Sequence, residues 1–78
     1  MFIPSIPLGK YRHYKNILVE VIGVALHSET LEPLVVYKKL QDWKESKKGS
    51  IWVRPYPMFI ETVIVDGKKV PRFEKIED

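Results

Sequence analysis

The chain has no cysteine. Disulfide staples, thiolate catalysis and any Cys-ligated zinc are therefore excluded. It has only two histidines, four glycines and no Gly-rich phosphate loop. Hydroxyl nucleophiles other than the tyrosines are limited to Ser5, Ser28, Ser46, Ser50, Thr30 and Thr62. The His-Glu-x-x-His zinc signature is missing as well. No run approaches the ~18 apolar residues of a membrane span. The apolar start, Met1 to Leu8, carries Pro4 and Pro7 and no basic flank, so it reads as an extended arm rather than a signal peptide. A cytoplasmic location is the default expectation.

What is present fits one small domain of 78 residues. Such a chain buries only about 60% of its unfolded surface, which leaves few side chains for a pocket once a core is built. The net charge of +3 is unevenly placed. Five lysines between Lys38 and Lys48, set against Asp42 and Glu45, account for all of it. A basic patch on an otherwise neutral domain is compatible with nucleic acid, and equally with a solvated hairpin loop.

Turn signals cut the chain into short extended segments. These are Lys10 to Tyr14, Ile17 to His27, Leu34 to Leu40, Ile51 to Arg54, Phe59 to Val65 and Lys69 to Phe73. Ile17, Val19 and Val21 alternate with Glu20, and the alternation blurs after Gly23, which predicts a bulge or bend there. Leu40 and Trp43 leave room for one helical turn. Pro55 and Pro57 before Met58 suggest a 3₁₀ turn, and Asp66-Gly67 a tight hairpin. Pro71 means that the last strand lies at an edge or starts its pairing late, and a frayed charged tail follows from Glu74. The fold class is all-β, a small barrel of five to six short antiparallel strands with helix limited to single 3₁₀ turns.

Several motifs taken together carry a resemblance. They are Gly9-Lys10-Tyr11-Arg12-His13-Tyr14-Lys15, His27-Ser28-Glu29-Thr30-Leu31-Glu32, Val35-Val36-Tyr37, Trp52-Val53-Arg54-Pro55, Met58-Phe59, Asp66-Gly67 and Val70-Pro71-Arg72-Phe73. The chain resembles the bacterial domain-of-unknown-function family 1653 from about Gly9 to Phe73. The resemblance implies an SH3-like small β-barrel over 9–73, with 1–8 as arm and 74–78 as tail, and it implies no chemistry. Asn16 stands where the family usually has glycine, and Asn also tolerates a tight turn. The connection Leu40 to Ser50 is longer and more basic than is usual in the family.

Each candidate site residue has a structural alternative. His13, His27 and Glu29 would make a metal site only if they converged, and otherwise each imidazole satisfies a local partner. Ser28 follows His27 directly, so on a strand the two point to opposite faces and make a poor proton relay. Trp52 and Arg54 share a strand face, and Tyr11, Tyr14 and Tyr37 add aromatic surface. An arginine beside aromatics is suited to stacking and to bidentate anion recognition. Trp52 is instead expected to plug the core of so small a domain. Arg54 either serves a ligand or pairs with Glu61 or Glu29.

The leading expectation is a non-enzymatic interaction module with no cofactor, binding a peptide, a partner protein or a small polar ligand through Arg12, Arg54, Arg72 and the aromatic set. Homo-oligomers are compatible with it, a membrane is not. The alternative is a nucleic-acid-binding domain using the lysine-rich segment, and a third reading is a histidine-dependent metal site or enzyme.

Overall fold

The computed structural model describes residues 3–76. Seven antiparallel strands and one short helix follow in the order β1 (Gly9–His13), β2 (Ile17–Leu26), β3 (Pro33–Lys39), β4 (Ile51–Pro55), α1 (Tyr56–Ile60), β5 (Thr62–Val65), β6 (Lys68–Pro71) and β7 (Phe73–Lys75). The main sheet has the order β4-β3-β2-β1-β7, and β5 and β6 form a separate hairpin. The all-β expectation holds. No helix among the described residues is long and apolar enough to cross a membrane.

The main sheet is strongly curled. In a flat sheet, β4 and β7 would lie four spacings, about 19 Å, apart. The Arg54 guanidinium on β4 nevertheless lies 5.5 Å from the centre of the Phe73 ring on β7. The two edges therefore meet through side chains, as they do in a small, partly open barrel.

The period-2 rule explains what fills the concave face. Tyr11, Ile17, Val19, Val21, Val35, Tyr37 and Phe73 alternate inward and are buried. Val21 faces Tyr37, but Gly23 faces Val36, so Ile22 is the extra residue of a bulge. Beyond it the inward phase changes from odd to even, and Val24 comes to face Val35. This is why the alternation blurs in the sequence. Gly23 is not in the left-handed region, and a Cβ there would meet nothing within 4 Å, so the bend needs no glycine. The turn residues do need positive φ: Asn16 (67°), and Asp66 (51°) with Gly67 (79°), where the two successive positive values make a primed hairpin turn.

Several expectations about elements are corrected. Phe59 and Ile60 belong to α1 rather than to a strand, and Phe59, 1% exposed, is the plug of the core. It stacks on Phe73 at 4.1 Å between centroids and meets Tyr11 edge-on at 5.5 Å. An α-helical turn, not a 3₁₀ turn, fits after Pro55 because Pro57 falls in the first turn of the helix, where no N–H is needed. Leu40 to Trp43 forms no helical turn. The Gln41 Oε1 instead accepts from the Leu18 N–H at 3.2 Å, and Trp43 pairs with Ser46 in a small turn.

The last segment is two strands, not one. It breaks at Arg72, and Phe73–Lys75 crosses into the main sheet beside β1, so Glu74 and Lys75 are paired rather than frayed. Glu77 and Asp78, the end of the expected tail, lie outside the described residues. The arm over residues 3–8 is docked, while Met1 and Phe2 lie outside the described residues: Pro4 is buried, Ile6 packs on the core, and the Tyr11 hydroxyl donates to the Pro7 carbonyl at 2.8 Å.

Candidate functional site

The inward alternation does not stay apolar to the end of the barrel. β1 places His13 inward after Tyr11, β3 places Lys39 after Val35 and Tyr37, and β4 places Trp52 and Arg54 opposite Tyr37 and Val35. Polar residues thus take core positions at one mouth of the barrel. They line a cup of about 250 Å³ whose walls are His13, Lys15, Lys39, Arg54, Arg72 and the Phe73 ring, with Trp43 at its margin.

The cup is a concentration of positive charge with no carboxylate in its lining among the described residues. Arg72 reaches it already paired to Glu61 through its Nε (3.0 Å) and a second guanidinium nitrogen. Arg54 has no acidic partner among the described residues. Its Nε is buried and makes no hydrogen bond, a costly arrangement for a charged donor. Its attraction to the Phe73 ring offsets part of that cost.

Lys39 lies 5.8 Å from the Trp52 ring and 5.9 Å from the Tyr37 ring, and burial followed by the Arg54 charge lowers its pKa. Burial, then Arg54, Arg72, Lys15 and Lys39, hold the His13 pKa down to about 4. The neutral ring accepts the Lys15 N–H at Nδ1, 3.1 Å away.

A second, slightly larger cleft of about 290 Å³ shares His13 and Tyr14 but is walled by Val65, Val70 and Pro71. Its charged residues, Arg12 and Glu74, are register partners across β1 and β7 and offset one another.

Of the sequence candidates, His13, Tyr14, Arg54 and Arg72 come together at the cup. Trp52 stands beside it, 43% exposed, with its indole N–H donating to the Ser50 hydroxyl at 2.8 Å. It is therefore not the core plug, because Phe59 from α1 already fills that position. Arg54 does not pair with Glu61, which Arg72 occupies, nor with Glu29, which lies in the exposed β2–β3 turn.

Tyr11 is a core residue, and burial raises its pKa. His27 caps the β2–β3 turn, its Nδ1 accepting from the Glu29 (3.1 Å) and Thr30 (3.3 Å) N–H groups. It lies at the opposite end of β2 from His13, about 30 Å away along a ten-residue strand, so His13, His27 and Glu29 do not converge. The described residues hold no group of three or more His, Cys, Asp or Glu able to bind a metal.

Lys39 was missed as a site residue because it reads as the first part of a solvated lysine loop. The signal that could have found it is a lysine on the inward phase of an otherwise apolar strand.

The solved structures include a DUF1653 protein from Bordetella bronchiseptica that is similar to this chain. It is 32% identical, with a TM-score of 0.79 over 91% of this chain and 87% of that one. No curated protein matches. The family model described as a protein of unknown function, DUF1653, matches residues 9–75, which spans both the barrel and every residue of the cup. The chain belongs to the DUF1653 family.

Proposed function

We propose that this domain is a non-catalytic binding module that captures an anionic group of its ligand, a carboxylate or a phosphate, in the basic cup at the barrel mouth. The observation that supports this best is Arg54, a guanidinium with a buried, unpartnered Nε set among Lys39, Lys15 and Arg72. A bound oxyanion supplies the missing acceptor and relieves the repulsion among the cations. Among the described residues no serine, threonine or carboxylate lines the cup, and His13 is held neutral, so the reading includes no chemical step.

The test is thermal unfolding in phosphate, in acetate and in chloride at equal ionic strength. An anion that binds only the native state raises the midpoint by mass action. The rise should appear in phosphate or acetate and vanish in Arg54→Gln. Equal midpoints in all three salts would remove this reading.

One observation favours a second reading, single-stranded nucleic acid. Trp43 and Trp52 are exposed, and Lys44 and Lys39 lie within 5.4 and 5.8 Å of their respective rings, a combination that can stack bases and meet phosphates. Binding of an oligonucleotide that weakens steeply with salt would support it.

A further inference from the structure

Strand β4 ends the strand order of the main sheet, and among the described residues no backbone group is hydrogen-bonded to its outer side. The ladder shows which of its groups are free. The Lys39 N–H donates to the Ser50 carbonyl and the Lys39 carbonyl accepts from Gly49, so bonding toward β4 begins at Lys39. Alternation along the antiparallel register then assigns Tyr37↔Trp52 and Val35↔Arg54 to bonded pairs, and Lys38↔Ile51 and Val36↔Val53 to non-bonded ones. The backbone groups of Trp52 and Arg54 are spent on β3, while those of Ile51 and Val53 point outward.

The same two residues carry exposed apolar side chains, 56% and 53% accessible, on the convex face. The guards that β4 carries, the inward-pointing Arg54 and Pro55, come only at its end, so Ile51 and Val53 themselves are unguarded by lysine or proline. Trp52 and Arg54 direct their side chains to the other face, at the cup.

Resting on the anion-cup reading, we infer that β4 receives an extended segment of another protein as an added strand, in which apolar residues flank an acidic one. The period of a strand decides the pattern. Residues of the added strand opposite Ile51 and Val53 lie on the convex face and pack on them. A Glu or Asp between these, opposite Trp52, falls on the concave face and reaches Arg54 and Lys39 diagonally. Charge selects this occupant over a second copy of the chain. Two copies joined at β4 would set two carboxylate-free cups side by side, whereas an acidic strand neutralises one.

The experiment uses the full chain and the blocked peptide acetyl-Thr-Val-Glu-Val-Thr-amide, followed by amide hydrogen exchange and NMR titration. The expected result is at least tenfold slower exchange at the Ile51 and Val53 amides, with little change at Trp52 and Arg54. Replacing the peptide Glu by Gln, or N-methylating the peptide amides that face β4, should each weaken binding at least tenfold. Val53→Pro, which removes an outward N–H together with the isopropyl group, should do the same if it folds, and the N-methylated peptide isolates the backbone contribution in either case.

Shifts at Arg54 and His13 with free phosphate, but no protection of Ile51 and Val53 by the peptide, would overturn the strand addition and leave the cup reading standing. Silence of Arg54 and His13 toward both probes would overturn the two together. Protection of Ile51 and Val53 without peptide, growing with protein concentration alongside a sedimenting dimer, would assign the edge to a second copy instead. Binding of oligothymidylate but not of the peptide would assign the surface to nucleic acid.

Discussion

The guanidinium of Arg54 on β4 lies over the ring of Phe73 on β7, 5.5 Å from its centre. This contact joins the two outermost strands of the sheet. It also fixes a cation at the barrel mouth, within reach of Lys39 and Arg72 and without an acid of its own among the described residues. A residue selected for stability alone would be apolar there, since its neighbour across the ladder, Val35, is fully buried.

Arg54→Met is therefore expected to keep or raise stability, by about 0–1 kcal/mol, while abolishing anion binding. Removing an uncompensated charge near the core relieves repulsion, and a methionine of similar length keeps the contact with Phe73. Denaturant melting of the variant beside the parent checks this. A loss on the order of 2 kcal/mol or more would show that Arg54 holds the barrel closed and would withdraw it from the site.

His13 makes stability pH-dependent in a defined window. Its folded pKa, about 4, lies below the ordinary histidine value of 6.5. Between these values the unfolded chain binds the proton and the native one does not, so this group's contribution falls as pH drops from about 6.5 toward 4. His13→Asn should show a shallower decline over that window. Arg54→Met should also flatten it, because Arg54 is the first of the charges, after burial itself, that depress the pKa. Parallel melting curves for all three proteins across the window would contradict this account.

The fold was readable where local chemistry decides it. Asp66-Gly67 and Asn16 announce their turns, and the alternation of Ile17, Val19 and Val21 announces the inward face of β2. The bulge was readable only as a blur, because the phase change depends on pairing with β3. What could not be read is the curl that brings β4 to β7, since it is a relation between strands far apart in sequence. Without it, Arg54 had no visible neighbours except the acids Glu61 and Glu29, and Trp52 looked like the natural core plug. The cup is nevertheless written in the strands as three breaks of the inward pattern, at His13, Lys39 and Arg54.

Gly23 marks the bend in the sequence without being its cause. Its backbone is outside the left-handed region, and an added Cβ meets nothing within 4 Å. Gly23→Ala should leave stability unchanged or raise it by about 0.5–1 kcal/mol through the lost freedom of the unfolded chain. Gly23→Val should also fold. A midpoint drop equivalent to 2 kcal/mol or more in Gly23→Ala would mean that the bulge depends on glycine after all.

Phe59 carries the core that the cup rests on. Phe59→Ala removes the ring stacked on Phe73 and packed against Tyr11 and Tyr37, and it should cost about 3–5 kcal/mol. In a domain of this size that is most of the available stability, so the variant should be largely unfolded at room temperature by circular dichroism. Trp52→Ala, by contrast, should lose under about 1 kcal/mol, in keeping with a side chain that is 43% exposed. Equal losses in the two variants would contradict the assignment of Phe59, rather than Trp52, as the plug.

The central claim is that the cup is an anion site whose missing acceptor is the ligand, and the Nε–H of Arg54 reports on it directly. Because that donor is buried without a partner, its proton–nitrogen resonance should sit upfield of a hydrogen-bonded one. Titration with phosphate or acetate, at ionic strength held constant with chloride, should move it downfield along one saturating curve and slow its exchange with water. The His13 ring signals should follow the same curve as its pKa climbs from about 4 toward the ordinary value. An Arg54 Nε–H resonance that stays in place through the titration, with His13 unmoved, would contradict the account.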